Sequence, residues 1–486
     1  MRNVSRFVLF AVLTLMAATV VVSAGLSDEP VLAQAKTKED LKKSGDAHFD
    51  KGEYDKAIAD YTKALELDPK YVFGWYLRAR AYATKGERDK AIADCTKALE
   101  LDPKLANAWY TRALAFANIG EFKKAIADYS KALELDPKHT NAWHNRGIAH
   151  YRSYDYEKAV ADHTKALELS PKFAPAWSRR GHAYVRLGKR AQARADFTKS
   201  LELDPKNAQI WHSRGLAQEH GDTEKQLADF NKALELDPTF AGAWHSRGVV
   251  YRQMAEYDKA ITDFTTALVL HPSSALFMNA RGEAYECRGE YEKAISDYAH
   301  TSNANHGALA RVRLKLGQFD DALKDADKAV SRLPDLQEDY LVRALVYRYR
   351  NEWQLALDDY TYALKTGGSD EVTSELYLGR AHAYRGLGKL QEARDDANEA
   401  FEFAEAFLVR DENDHWSRYL MACVVGLRAQ LRTSAEERAA DLTLAFQHLK
   451  RAVDSGNITA EKLKTDADLE VLRADDRFKE ITSKAK

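Results

Sequence analysis

Eleven aspartates and nine arginines recur at regular intervals along this chain, and they are the residues best placed by type and number to do chemistry. The Asp row is Asp60, Asp94, Asp128, Asp162, Asp196, Asp229, Asp263, Asp297, Asp325, Asp359 and Asp396. The Arg row opens with Arg78, Arg112, Arg146 and Arg180 and runs on through Arg214, Arg247, Arg281, Arg343 and Arg380, with Ser44 and Leu309 at its two vacant places. Two carboxylates at one site can act as general acid and base. A row with a constant period is a different object, because it repeats a surface or a contact. A charge close to a packing surface is costly unless partnered. The two rows are therefore expected to pair between packed helices, with ligand binding by either row as the alternative.

Other chemistry finds little support. There is no Gly-rich phosphate loop, nucleophile elbow or HExxH motif. Fifteen histidines occur; His144, His212 and His245 share one place in repeats four, six and seven, but no two histidines stand four apart to clamp a metal on one helix. The three cysteines, Cys95, Cys287 and Cys423, form no CxxC pair. They read as small core fillers, the alternative being a reactive thiol or an intermolecular disulfide. No catalytic residue, metal or cofactor is expected, and the chain is not expected to be an enzyme.

The elements that carry these rows are legible from punctuation. Leu-Asp-Pro closes at Pro69, Pro103, Pro137, Pro205 and Pro238, Leu-Ser-Pro at Pro171 and Leu-His-Pro at Pro272. The successive steps are 34, 34, 34, 34, 33 and 34 residues. A Trp opens six repeats: Trp75, Trp109, Trp143, Trp177, Trp211 and Trp244. Arg follows three residues later, then Ala or Gly, and often an aromatic three further on, as in Tyr82, Phe116, Tyr184 and Tyr251. Spacings of three and four mark one helical face, and the small residue marks a close helix contact. A short turn follows, often with Gly (Gly52, Gly86, Gly120, Gly188). A second amphipathic helix reads best at Ala57–Leu67, and Pro ends it. The six Trp are expected to be the buried spine of the stack, each removing roughly 200 Å² from water.

This pattern of Trp, small residue and aromatic in a first helix, then Ala, aromatic, Ala and Pro in a second, resembles the tetratricopeptide repeat of bacterial exported proteins. The resemblance covers about residues 37–400 in eleven repeats, beginning near Lys38, Val72, Ala106, Thr140, Ala174, Ala208, Ala241, Ala275, Asn303, Gln337 and Ser374. It implies an all-α, right-handed α-solenoid with a helical C-terminal cap. One helix pair cannot bury its apolar face alone, so neighbours must stack. The organisation is read as repeats one to eight over 37–302, repeats nine to eleven over 303–400 and a cap over 401–486. The eighth repeat lacks its Pro, so a kink or boundary is expected around residues 299–310. In the tail, Trp416–Cys423 resembles a further first helix, Ser434 with Glu437 a capping box, and Leu463–Ile481 the cap itself.

The resemblance also implies function. In such arrays the first helix (helix A) lines a concave groove that takes a protein or peptide segment. Its non-core positions here are Tyr76, Tyr110, His144, Asn145, Arg152, Arg179, His182, Arg186, His212, His245 and Arg252. The His/Arg content suits an acidic segment. Chaperone adaptors of the family grip a C-terminal carboxylate with Lys and Asn; here Lys42 is followed by Asp46 and then by Leu77, so that clamp is not carried over. The reading is a protein–protein interaction scaffold, with an accessory or regulatory subunit of an envelope enzyme as the alternative. The balance of 72 basic and 74 acidic residues, formal charge −2, disfavours a nucleic-acid binder. Arg2 and Arg6 precede an apolar run, Phe7–Val22, with small-residue exits at Ala24 and Ala35. That is a secretory signal; the chain is expected to be exported, periplasmic or secreted, or else held by an uncleaved N-terminal anchor.

Overall fold

The computed structural model describes residues 36–219, 221–300, 305–332, 337–366, 370–410, 414–455 and 458–485. The expected signal, residues 1–24 or 1–35, and His220 lie outside them. The described chain is all-helical, a succession of helix-turn-helix repeats in which each first helix packs on the second helix (helix B) of its own repeat. It divides into two compact units, Met1–Arg179 and Arg180–Lys486. Nine repeats begin their first helix at the residue expected from the sequence; the ninth begins at His306 and the eleventh at Asp370.

In the N-terminal unit the second repeat shows how sequence makes the motif. Val72–Lys85 ends on Gly86 in the left-handed region, φ 89°. Arg88–Leu101 follows, and Asp102 leaves the helix in extended conformation, as the residue before a proline must. Gly52 and Gly120 sit at the equivalent turns with positive φ, and so does Tyr154, at φ 64°. The turn geometry thus belongs to the repeat and is imposed even where no glycine provides it. The core of this unit is made of Ala57, Tyr61 and Ala64, of Ala91, Cys95 and Ala98, and of their counterparts Ala125, Tyr129 and Ala132, all buried. A Cβ added at Gly147 would come within 2.8 Å of the His163 ring, which is the close approach the small helix-A residue permits.

The C-terminal unit repeats the scheme with Phe197, Phe230, Phe264, Tyr298 and Tyr360 as the fully buried aromatics. Gly181, Gly215 and Gly248 face the rings of Phe197, Phe230 and Phe264, where a Cβ would lie 2.6–2.7 Å away. Ala294 and Tyr298 pack with Ala308, Leu309 and Val312, so burial continues past the short eighth repeat on both sides of residues 301–304. Buried Glu286 of the eighth repeat receives Arg311 at 3.0 Å through both Nε and Nη2, Lys315 at 2.9 Å and the Tyr298 hydroxyl at 3.1 Å. Against burial, Arg311 and Lys315 hold that carboxyl down to about 2.

Two expectations are corrected. The six Trp are half-buried. The spine is the helix-B aromatic with its flanking alanines, and each Trp instead donates its indole N–H, at 2.8–2.9 Å, to the carbonyl of the proline six residues before it. Cys95 and Cys423 are buried fillers, but Cys287 is exposed. Beyond the eleventh repeat, His415–Leu431 and Ala435–Asp454 form a further helix pair with Arg428 donating to Asp441. Ser434 accepts from the Glu437 amide at 3.4 Å, one half of the expected capping box; the reciprocal box is seen at Thr37 and Asp40.

Candidate binding surface

Each of the nine row arginines lies on a helix A and forks onto the Asp of its own helix B. Arg78 donates from Nε to Asp94 at 2.7 Å and from Nη2 at 2.9 Å. Arg112–Asp128 and Arg146–Asp162 repeat this in the N-terminal unit. Arg180–Asp196, Arg214–Asp229, Arg247–Asp263, Arg281–Asp297, Arg343–Asp359 and Arg380–Asp396 do so in the C-terminal unit. Where Arg is missing, Ser44 donates to Asp60, and His306 with Arg313 meets Asp325. The remaining guanidinium nitrogen reaches back one repeat: Arg78 to Thr62, Arg112 to Thr96, Arg146 to Ser130, Arg214 to Thr198, Arg247 to Asn231. These acceptors stand two residues after each Asp and form a periodic polar row of their own in the sequence. The guanidinium of Arg78, Arg112, Arg146, Arg214 and Arg247 also lies 4.6–4.8 Å from the ring of its own Trp. The ladder is therefore a structural clamp joining three helices.

The other sequence candidates separate into packed and exposed sets. In the N-terminal unit Tyr76 is half-buried among Leu77 and Trp75. Tyr110 packs on His139 and Tyr129 and accepts from Asn145 at 2.9 Å, a hydrogen bond between successive first helices. His144 is buried between His163 and Phe173. Burial, then the charge of Arg179, pushes its imidazole down to about 4. Arg152 and Arg179 are exposed and form no ion pair among the described residues.

In the C-terminal unit His212 packs on Phe230 and Phe240 and meets Ser246 at 2.9 Å. His245 packs on Phe264 and Phe277, and His182 on Phe197. Burial brings His212 down to about 4 and lowers His245. His144, His212 and His245 are therefore neutral packed rings at pH 7, and among these candidates the positive charge lies on the arginines. Arg186 is exposed, and Arg252 is half-buried with Glu283 at 3.2 Å. Lys42 is committed to Asp46, which also accepts from Tyr61.

One set of side chains escaped the sequence reading. Arg348 and His382 lie on the helices Gln337–Tyr349 and Asp370–Gly386 and meet the tail residue Asp468. The pattern Asp466-x-Asp468 was the only available signal, and nothing in the sequence said where the tail lies. Among the described residues no cluster of three His, Cys, Asp or Glu side chains is arranged to hold a metal, and no helix is long and apolar enough to cross a membrane.

Family models described as TPR repeat match residues 45–86, and those described as tetratricopeptide repeat match 72–105, 106–139, 129–161, 174–207, 230–262 and 374–407. No curated protein matches the chain. Among solved structures, MamA is 30% identical over 34% of this chain and 96% of its own, with a TM-score of 0.32. YrrB, described as a TPR protein with an unusual peptide-binding site, is 25% identical over 38% and 97%, TM-score 0.35. Pseudomonas aeruginosa pilF is 22% identical over 44% and 97%, TM-score 0.39. The chain belongs to the tetratricopeptide repeat family, a family of protein–protein interaction scaffolds.

Proposed function

We propose that this scaffold binds an extended acidic segment of a partner protein along its helix-A faces, in the exported compartment to which the N-terminal Arg2, Arg6 and the Phe7–Val22 run address it. The observation that carries the reading is the contrast between two sets of arginines. The nine ladder arginines are spent on helix-B aspartates, whereas Arg152 and Arg179 project into solvent from first helices with no carboxylate partner among the described residues. A guanidinium fork matches a carboxylate in both shape and charge. Unspent forks on a rigid helical frame are what recognition of Asp and Glu side chains requires.

The test is fluorescence anisotropy with a library of labelled acidic peptides on the intact chain and on Arg152→Glu/Arg179→Glu. Folding of both is checked by circular dichroism. The reading expects a selected acidic peptide to bind the charge-reversed chain at least about tenfold more weakly, and binding to weaken with added salt. Equal binding by the two chains refutes it.

A further inference from the structure

The tail of the chain meets the first helices of the tenth and eleventh repeats at places equivalent to two of the candidates above, Arg252 and His182. Arg348 is the twelfth residue of its thirteen-residue helix A, Gln337–Tyr349, as Arg252 is of Ala241–Gln253. His382 is the ninth residue of a repeat beginning at Ser374, as His182 is of one beginning at Ala174. In the tenth and eleventh repeats these two places are filled from within. Arg348 donates from Nη2 to Asp468 Oδ1 at 2.7 Å, and His382 Nε2 stands 3.1 Å from the same oxygen. Two residues earlier, Asp466 accepts from the Tyr419 hydroxyl at 2.7 Å on the next helix, His415–Leu431. Lys462 lays its ammonium 3.8 Å from the Trp416 ring centre. Leu463, Leu469 and Leu472 are fully buried beside these charges.

This arrangement has the anatomy of a bound peptide more than of a repeat. The segment holds only a six-residue helix, Ala460–Thr465, and a six-residue 3-10 turn, Ala467–Leu472. Among the described residues it has no Arg–Asp fork of the ladder type with a helix B of its own. A few apolar anchors surrounded by desolvated charge pairs are the usual composition of a recognition site. Burying Arg348 with Asp468 is tolerable only because each charge meets the other, and His382 and the Tyr419 hydroxyl give the two aspartates further polar partners. The same pairing is available to any segment that presents two carboxylates at this spacing.

We propose that residues 460–472 are a built-in ligand of the tenth and eleventh repeats, and that a partner segment with an Asp-x-Asp pair followed by leucine displaces them and takes the same face. The inference rests on the reading of helix-A faces as acidic-segment sites and adds where one such site is and what keeps it closed. The probe is a labelled peptide with the sequence of residues 459–476, titrated against the full chain, against Asp468→Arg, whose own tail is repelled by Arg348, and against Asp468→Arg/Arg348→Glu. Asp468→Arg is expected to bind the peptide at least about tenfold more tightly than the unaltered chain, and the double variant to lose that gain. A peptide with Asp466 and Asp468 changed to Asn is expected to bind at least about tenfold more weakly.

Asp468→Arg binding no better than the unaltered chain, while folded by circular dichroism, overturns the proposal. So does a doubling of mass on tail release without peptide capture, which would make the occupant the tail of a second copy. Should Asp468→Arg fail to fold, hydrogen exchange on the unaltered chain decides. Residues 460–472 are expected to exchange at least about tenfold faster than His415–Leu431, and equal protection overturns the idea. Gain of peptide binding that depends on Arg348 but not on Arg152 and Arg179 separates this site from the one tested above.

Discussion

Removing one partner of a ladder pair is expected to cost far more than removing both. Take Arg247 and Asp263, whose side chains are 17% and 4% exposed. Burial lifts the Asp263 carboxyl above its ordinary 3.8 despite the guanidinium beside it, while Asp263 holds Arg247 protonated against its own burial. The attraction therefore roughly offsets desolvation. A folded-state value raised in this way adds stability below the unfolded 3.8, an increment lost as pH rises through the folded value. The comparison belongs at neutral pH, where both groups are charged. Asp263→Ala leaves a mostly buried guanidinium without its carboxylate. Loss of one partner from a buried pair costs about 3–5 kcal/mol. Arg247 keeps Asn231 at 2.7 Å and the Trp244 ring at 4.7 Å, so the lower end, about 3 kcal/mol, applies. Arg247→Met/Asp263→Leu, which replaces both by apolar groups, is expected to stay within about 1 kcal/mol of the parent. Urea unfolding followed by circular dichroism gives the cycle. Hydrogen exchange over 241–270 shows whether the loss is local, as nearest-neighbour stacking requires. A cost below about 1 kcal/mol for Asp263→Ala, or a double variant as weak as the sum of the singles, would refute the clamp argument.

Two further predictions concern stability. His144 and His212 are held down to about 4 from 6.5, so the unfolded chain takes up protons there before the folded one. Their contribution is whole above pH 6.5 and is lost as pH falls toward about 4, by at most about 3 kcal/mol per site. Urea midpoints measured across that window should fall, and fall less in His144→Leu/His212→Leu; an unchanged pH profile in the variant would count against buried neutral imidazoles. Ala255 holds φ 57° at a turn where other repeats use glycine. Relief of left-handed strain, about 1–2 kcal/mol, exceeds the entropy glycine brings to the unfolded chain. Ala255→Gly should therefore raise the melting temperature, and a fall would show that the turn is not strained.

The period of the prolines and the Arg and Asp rows determined the fold class, the number of repeats and nearly every helix start. They could do so because each helix pair buries the same face against the same neighbours, so local sequence repeats the contact. The Arg–Asp partnership was legible for the same reason, since a charge recurring at a packed position needs a charge facing it. The role of the tryptophans was not legible. A large aromatic at a fixed place reads as core, and only the path of the chain around each proline reveals that the indole N–H caps a carbonyl. The packing of His144, His212 and His245 was not legible either, because whether an imidazole meets water or a neighbouring aromatic ring depends on stacking distance. Where the tail lies was beyond sequence altogether. Its contacts join Asp468 to residues 86 and 120 positions earlier in the chain, and a contact made once, between segments that share no period, leaves no repeating mark; only tertiary folding brings Arg348, His382 and Asp468 together.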